Sequence, residues 1–338
     1  MFAFIRDLQP YIIPIQLLLA MLGMGATLSF RDFAKVFTQP KGVVSGLGLQ
    51  WLFVPLLGQA FIYANGMSSG WAVGMVLVTV VPGGAMSNLF TFLGRGNTAL
   101  SISVTIVTTL GSLLTIPLLL RLLAAPYMPP DFSFPALRII RDVTFFLIIP
   151  VAVGMLIFRY ANRHAEWVSK WSVRGTIFLI LVITVGALGS GQIKIAAHGW
   201  APPLQIVGFG LLMTILSAEL SRLLGLNDAD ALALSIEVAV RNGSIGLLLV
   251  QYFFANNPAL QGQVMYVVLF YSGLSLWLAL PQLFRHRSGR AVLPWHKRRP
   301  GSPASDNDGA APAADGEKSP AKREALEPSL VAEANGQR

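Results

Sequence analysis

Nine apolar runs alternate with short polar connections along this chain, at about 10–30, 41–63, 71–94, 97–123, 134–159, 173–190, 200–224, 230–255 and 262–284. About 20 apolar residues is the length an α-helix needs to cross a bilayer, where each backbone N–H and C=O must find a partner inside the protein. That constraint predicts an all-α polytopic membrane protein with nine transmembrane helices. Composition agrees: 12% of the 338 residues are charged, against about a quarter in soluble domains. The first run is too long for a signal peptide and no small-x-small cleavage site follows it, so it reads as a retained span.

The basic residues give the orientation. The net charge of +9 does not point to nucleic acid, because the lysines and arginines fall in loops and near the C-terminus. One set of alternate loops, with the segment after the ninth run, holds fifteen of them; the opposite loops hold Arg6, Arg121, Arg138, Arg141 and Lys194. The positive-inside rule places the larger set in the cytoplasm. The N-terminus is then outside the inner (plasma) membrane and the C-terminus inside, as an odd number of spans requires. Residues 285–338 read as a cytoplasmic tail. Its basic run Arg285 to Arg299 is expected to meet anionic headgroups, and the polar stretch from Gly301 to lack a fold. No cysteine is present, which excludes disulfides, thiolate metal sites and cysteine nucleophiles. There is no Walker A, HExxH or GxSxG pattern, so no ATPase, zinc protease or serine hydrolase is indicated. His164, His198, His286 and His296 are placed in loops or the tail, not in a metal cluster.

Two runs are interrupted in their middles. The third carries Pro82-Gly83-Gly84-Ala85-Met86-Ser87-Asn88 and the eighth Glu237 to Gly246, including Arg241-Asn242-Gly243-Ser244. Proline removes a donor and crowds the preceding turn, so the helix should unwind and free carbonyls near Val78 and Thr79. A kink alone would also explain that motif. Glu237 is costly as a lone buried anion and needs a cation: a metal ion, a proton, or Arg241 one helical turn away. Ser101 and Thr105 share a helix face, and Gln50 sits mid-span; packing between helices is the alternative reading for all three. The runs at 41–63, 71–94 and 97–123 form one trio and those at 200–224, 230–255 and 262–284 another, entering from opposite sides. Interrupted spans at matching places in inverted halves point to a secondary-transporter binding site.

These residues resemble the bile acid:sodium symporter family over about Leu17 to Leu283. The resemblance rests on Gly23-Met24-Gly25-Ala26-Thr27-Leu28, Gln50, the Pro82 to Asn88 motif with Gly94-Arg95-Gly96-Asn97, and Glu237 to Asn242. It implies a transmembrane domain over 1–284 made of a panel (about 10–30 and 134–190) and an inverted-repeat core (about 41–123 and 200–284) with two discontinuous crossing helices. Nine spans match the animal members; bacterial relatives often have ten. The resemblance implies alternating-access import of a small or amphipathic organic anion, with sodium as the coupling ion and no organic cofactor. It places a first sodium at Ser87, Asn88, Ser101, Thr105 and Glu237. It places a second at Gln50, Glu237 and backbone oxygens near Val238 and Val240, with glutamine where this chain has Arg241. Substrate would meet Ala85, Met86, Arg241 and Asn242; position 85 is commonly threonine in the family, so one hydroxyl is missing here.

Arginine stays protonated in proteins. A sodium ion about 4 Å from it would be repelled by roughly 4 kcal/mol at an effective dielectric of 20. Arg241 is therefore expected to replace the second sodium as a tethered cation, leaving one sodium site. Proton-coupled or sodium-independent transport of a similar anion stays open. So does a transporter-like sensor. An intramembrane enzyme using Glu237 as base lacks a second catalytic partner beyond Arg241, and the chain is read as no enzyme.

Overall fold

The computed structural model describes residues 2–128, 134–191, 193, 199–254 and 257–296. Lys194, His198, Lys297, Arg298, Arg299 and the stretch from Gly301 lie outside them. The described residues are helical, with one isolated β-bridge. In chain order the helices are α1 (Phe2–Gly25), α2 (Phe30–Thr38), α3 (Pro40–Ala64), α4 (Ser69–Val80), α5 (Ala85–Leu93), α6 (Thr98–Leu123), α7 (Ala136–Tyr160), α8 (Asn162–Gly189), α9 (Ala201–Leu223), α10 (Asp228–Ala239), α11 (Gly243–Phe253) and α12 (Pro258–Arg287). Seven helical segments among them are long and apolar enough to cross a membrane: α1, α3, α6, α7, α8, α9 and Leu260–Arg287 of α12. Leu114, Leu118, Phe178, Leu181 and Trp277 stand more than half exposed on these segments. Such a surface suits lipid rather than water. The chain is a multi-pass membrane protein.

Several boundaries differ from the apolar runs. Polar residues flank the runs and still continue the helices, so α1 starts at Phe2, α8 at Asn162, and α12 ends at Arg287. The first run also stops short of residue 30. Phe30 to Thr38 is a separate helix that begins at a Ser29–Asp32 capping box, with Ser29 N–H and Oγ each 2.8 Å from Asp32 Oδ2. Beyond α12 the chain does not simply leave the protein. Ala291, Val292 and Leu293 are buried, while Trp295 and His296 both reach Glu219 on α9. Two histidines expected in loops or the tail are helical: His164 lies in the first turn of α8 and His286 in the last turn of α12, its Nδ1 2.9 Å from the Gly94 carbonyl.

Two π-helical turns sit inside α3 and α7, at Leu49–Phe53 and Thr144–Ile148. Each precedes a proline, Pro55 and Pro150. A proline offers no N–H to the carbonyl one turn back, and a widened turn accommodates its ring. Gln50 is displayed on the first of these turns and buried.

Side-chain contacts sort the helix ends into two groups. Asn97, before α6, binds Gln39 and Asp230 through Nδ2 at 2.8 and 2.7 Å, and its N–H donates to Ala229 O. With the His286–Gly94 contact, this gathers the starts of α3, α6 and α10 and the ends of α5 and α12. The opposite group joins Gln59 of α3 to Leu123 O and Tyr127 at the end of α6. It also joins Gln251 of α11 to Gln9 of α1 and Gln261 of α12. The pair α4–α5 ends in the first group, whereas α10–α11 begins there, so the two interrupted pairs run in opposite directions.

Helices α1, α7 and α8 pack against one another. Glycines let α1 and α7 touch backbone to backbone: a Cβ on Gly25 would lie 2.2 Å from Val151 O, and one on Gly154 would lie 2.5 Å from Leu22 O. Neither neighbour is a side chain that can swing away. Gly154→Val is expected to destabilise the protein by at least about 1–3 kcal/mol. A fall in thermal stability of the detergent-purified variant is the readout, and unchanged melting would contradict the close packing.

Candidate functional site

The two interruptions meet. Helix α4 stops at Val80 ahead of Pro82, and α10 stops at Ala239 ahead of Arg241. The extended links between the halves pair as an antiparallel bridge of Gly83 with Arg241. Gly84 N–H donates to Val240 O, and Asn242 N–H to Pro82 O, both at 2.9 Å. The carbonyls that find partners across the break are thus those of Val81 and Pro82, one turn beyond the Val78 and Thr79 expected from sequence. Tyr271 of α12 secures the second break, its hydroxyl donating to Ala239 O at 2.8 Å.

Glu237 is fully buried beside the bridge. Its carboxylate accepts from Ser87 Oγ of α5, from Ser101 Oγ of α6 at 3.1 Å and from Thr105 Oγ1 of α6 at 2.7 Å. Asn88 Oδ1 lies 2.8 Å from Ser101 Oγ and 3.2 Å from Thr105 Oγ1. Ser87, Asn88, Ser101, Thr105 and Glu237 are therefore brought into one cluster. Six oxygens share three hydroxyl protons there, and those protons are also claimed by Gly84 O and Ser101 O. An oxygen surplus of this kind suits a hard cation or an added proton. Sequence spacing missed Gly83: a Cβ there would lie 1.9 Å from Glu237 Oε1, so only glycine admits the carboxylate. It also missed Thr91, whose Oγ1 lies 3.4 Å from Ser101 Oγ. Thr108 is not part of the cluster and bonds back to its own helix.

Arg241 turns away from Glu237. The helix ends between them, so the one-turn ion pair expected of a continuous helix does not form. Arg241 as a whole residue is 6% exposed. Its Nη1 donates to Gln50 Oε1 and, at 3.0 Å, to Val81 O. Nε and Nη2 make no hydrogen bond to the protein, nor does Gln50 Nε2. The space bounded by Arg241, Gly243, Tyr271 and Ser272 is about 10 Å³, the size of one water. Gln50 and Arg241 thus stand together. The Val240 carbonyl is engaged by Gly84, and Val238 is buried in α10.

The residues expected to hold substrate are spread around the bridge. Ala85 and Met86 open α5 and are half-buried. Asn242 caps α11, accepting from Ile245 N–H at 3.4 Å, and its Nδ2 lies 3.7 Å from Met21 Sδ of α1. None of these lines the apolar cleft beside α6 and α7. That cavity, about 410 Å³, runs between Met24, Leu28 and Phe30, Ile106 to Leu110 of α6, and Ile148 to Leu156 of α7; Thr109 is its one polar wall residue. It lies one helical turn from the hydroxyl cluster, through Thr105 and Thr109, and one turn from Asn242, through Met21 and Met24. A carboxylate–hydroxyl nest and an apolar cavity are therefore joined by single turns of α6 and α1.

With that geometry in hand, similarity to known proteins is decisive. A family model described as "Sodium Bile acid symporter family" matches residues 14–191, just over half the chain. The chain belongs to the sodium bile acid symporter family. Among its relatives it is 30% identical over 239 residues to the uncharacterized sodium-dependent transporter YocS of Bacillus subtilis (strain 168), covering 70% of this chain and 72% of that one. It is 29% identical over 236 residues to the probable sodium/metabolite cotransporter BASS2, chloroplastic, of Oryza sativa subsp. japonica, covering 70% of this chain but 55% of the rice protein. It is 26% identical over 246 residues to the ileal sodium/bile acid cotransporter of Homo sapiens, covering 72% of this chain and 70% of the human one.

The crossing yields a test of its own. Gly83→Ala is expected to displace the Glu237 carboxylate or part the two links, costing about 1–3 kcal/mol. Gly84→Ala, whose Cβ would sit 3.4 Å from its nearest neighbour, should melt close to wild type. Equal melting temperatures for the two variants would refute the close approach of Gly83 and Glu237.

Proposed function

We propose that this protein is a secondary active transporter that imports an organic anion by alternating access, coupled to sodium at one site. The observation that carries the reading is the five-residue cluster at the helix crossing, where six oxygens, one carboxylate among them, share three protons. Ser87, Asn88, Ser101, Thr105 and Glu237 hold the ion. They come from α5, α6 and α10, so filling the cluster fastens helices on both sides of the crossing. The names of the relatives, which print sodium-dependent transport and cotransport, support the same reading.

Arg241 takes the place of a second sodium, as a cation fixed to the chain beside Gln50. Its contact with Gln50 Oε1 supports this, since that oxygen is then no longer available to an ion. Its spare Nε and Nη2 donors favour an anionic group close by once the site opens, because buried N–H groups gain most from a charged acceptor. The opposed courses of α4–α5 and α10–α11 support an inverted-repeat core with nine passes. Helices α1, α7 and α8 serve as the panel against which that core rocks. We place the protein in the inner (plasma) membrane with its N-terminus outside. A proton on Glu237 would relieve the oxygen surplus equally well, and that observation favours proton coupling as the second reading.

Proteoliposome uptake of labelled organic anions separates the readings. Under an inward sodium gradient the wild type should accumulate an anion with a single-ion sodium dependence, and Glu237→Gln should accumulate none. Arg241→Gln should steepen the dependence toward two ions. A two-ion curve in the wild type would sink the replacement by Arg241, and accumulation driven by a pH gradient in choline would transfer the coupling to protons.

A further inference from the structure

Arg241 is a buried cation whose protein acceptors are both neutral. Its Nη1 donates to Gln50 Oε1 and to Val81 O. It pairs with no carboxylate among the described residues. Glu237 spends its oxygens on Ser87, Ser101 and Thr105 instead. Three nitrogens make no hydrogen bond to the protein: Arg241 Nε and Nη2, and Nε2 of the adjoining Gln50, itself 2% exposed. A buried charge held by neutral acceptors alone is costly, and each buried donor without an acceptor adds to that cost.

We propose that Arg241 seats a small inorganic anion, a halide of chloride size, at the start of α11. Size and charge select the occupant. The space that Arg241 borders is about 10 Å³, enough for one species as small as a water molecule. A halide ion is close to that size; an organic acid or a sulfate is far larger. A water molecule would accept the spare hydrogens but leave the guanidinium without an opposite charge, whereas a halide supplies both. The other polar walls are engaged elsewhere. Ser272 Oγ donates to Val268 O at 2.6 Å, the Tyr271 hydroxyl to Ala239 O at 2.8 Å and Gly243 N–H to Arg241 O at 2.9 Å. The space also meets the first turn of α11, through Gly243 and Gly246. The positive end of that helix dipole adds to the attraction for an anion. The inference rests on the reading of Arg241 above as a fixed cation apart from Glu237. It gives that cation a ligand distinct from the organic anion that is moved.

The test follows thermal melting of the purified full-length protein while sodium gluconate is replaced by sodium chloride at constant sodium and ionic strength. A saturable rise in melting temperature is expected with chloride and with bromide, and none with sulfate. Arg241→Gln should raise the half-saturating chloride concentration at least about tenfold, the factor that one hydrogen bond to a charged group supplies. Arg174→Gln, which removes a guanidinium stacked on Trp171, should leave the chloride response unchanged. Equal melting in chloride and gluconate would overturn the proposal. So would a rise that sulfate reproduces, or one undiminished in Arg241→Gln. Should Arg241→Gln fail to fold, wild-type crystals grown in sodium bromide decide. An anomalous peak within hydrogen-bond distance of the Arg241 guanidinium supports the site, and the lack of one there overturns it. Neither a sodium gradient nor an organic anion enters these measurements, so their failure is separable from failure of transport.

Discussion

Two helices broken inside hydrocarbon would leave backbone donors and acceptors that water cannot reach, and in this protein each break satisfies the other. Gly84 N–H meets Val240 O and Asn242 N–H meets Pro82 O. Unpaired groups of that kind cost several kcal/mol each in lipid, so neither break is tolerable alone. Pro82 forces the first, and its free carbonyl is then useful only if a second unwound link lies antiparallel against it. The cluster at Glu237, the setting of Arg241 and the course of the surrounding helices all follow from that pairing.

The crossing also separates two opposite charges that a continuous helix would have joined. Ending α10 at Ala239 sends Glu237 to the hydroxyls of α5 and α6 and Arg241 to Gln50 of α3. An ion pair would have neutralised both. Held apart, the carboxylate keeps an oxygen-rich surrounding and the guanidinium keeps two nitrogens without a hydrogen bond to the protein. The close approach depends on an atom that is missing, the Cβ of Gly83. Tyr271 braces the same turn from α12. The cost of burying both charges is thus offset by hydrogen bonds drawn from three helices, α3, α5 and α6, and from the Val81 carbonyl.

Around this centre the protein alternates tight and loose contacts. Gly25 and Gly154 bring α1 and α7 together backbone to backbone, while α6 stands off from α7 and leaves the apolar cleft. Thr105 faces the carboxylate and Thr109, one turn on, faces the cleft. One face of α6 thus joins the carboxylate cluster to the cleft wall. Met21 and Met24 give α1 the same double contact, with Asn242 on one turn and the cleft on the next.

Apolar run length and the distribution of charge were enough to read a multi-pass helical membrane protein from the amino-acid sequence, because hydrocarbon leaves few other solutions. The proline–glycine motif and the polar residues of the eighth run marked where the helices break, and Ser87, Asn88, Ser101, Thr105 and Glu237 were legible as one set because the family motif carries them. The sequence could not show that Glu237 and Arg241 part company, since their spacing fits an ion pair on any unbroken helix. Nor could it show Gly83 as the space for a carboxylate, Tyr271 as a brace, or His286 inside a helix, because each depends on contacts between segments far apart in the chain. The cleft was likewise settled by tertiary structure alone: Phe30, Ile106 and Leu156 are unremarkable residues until three helices place them side by side.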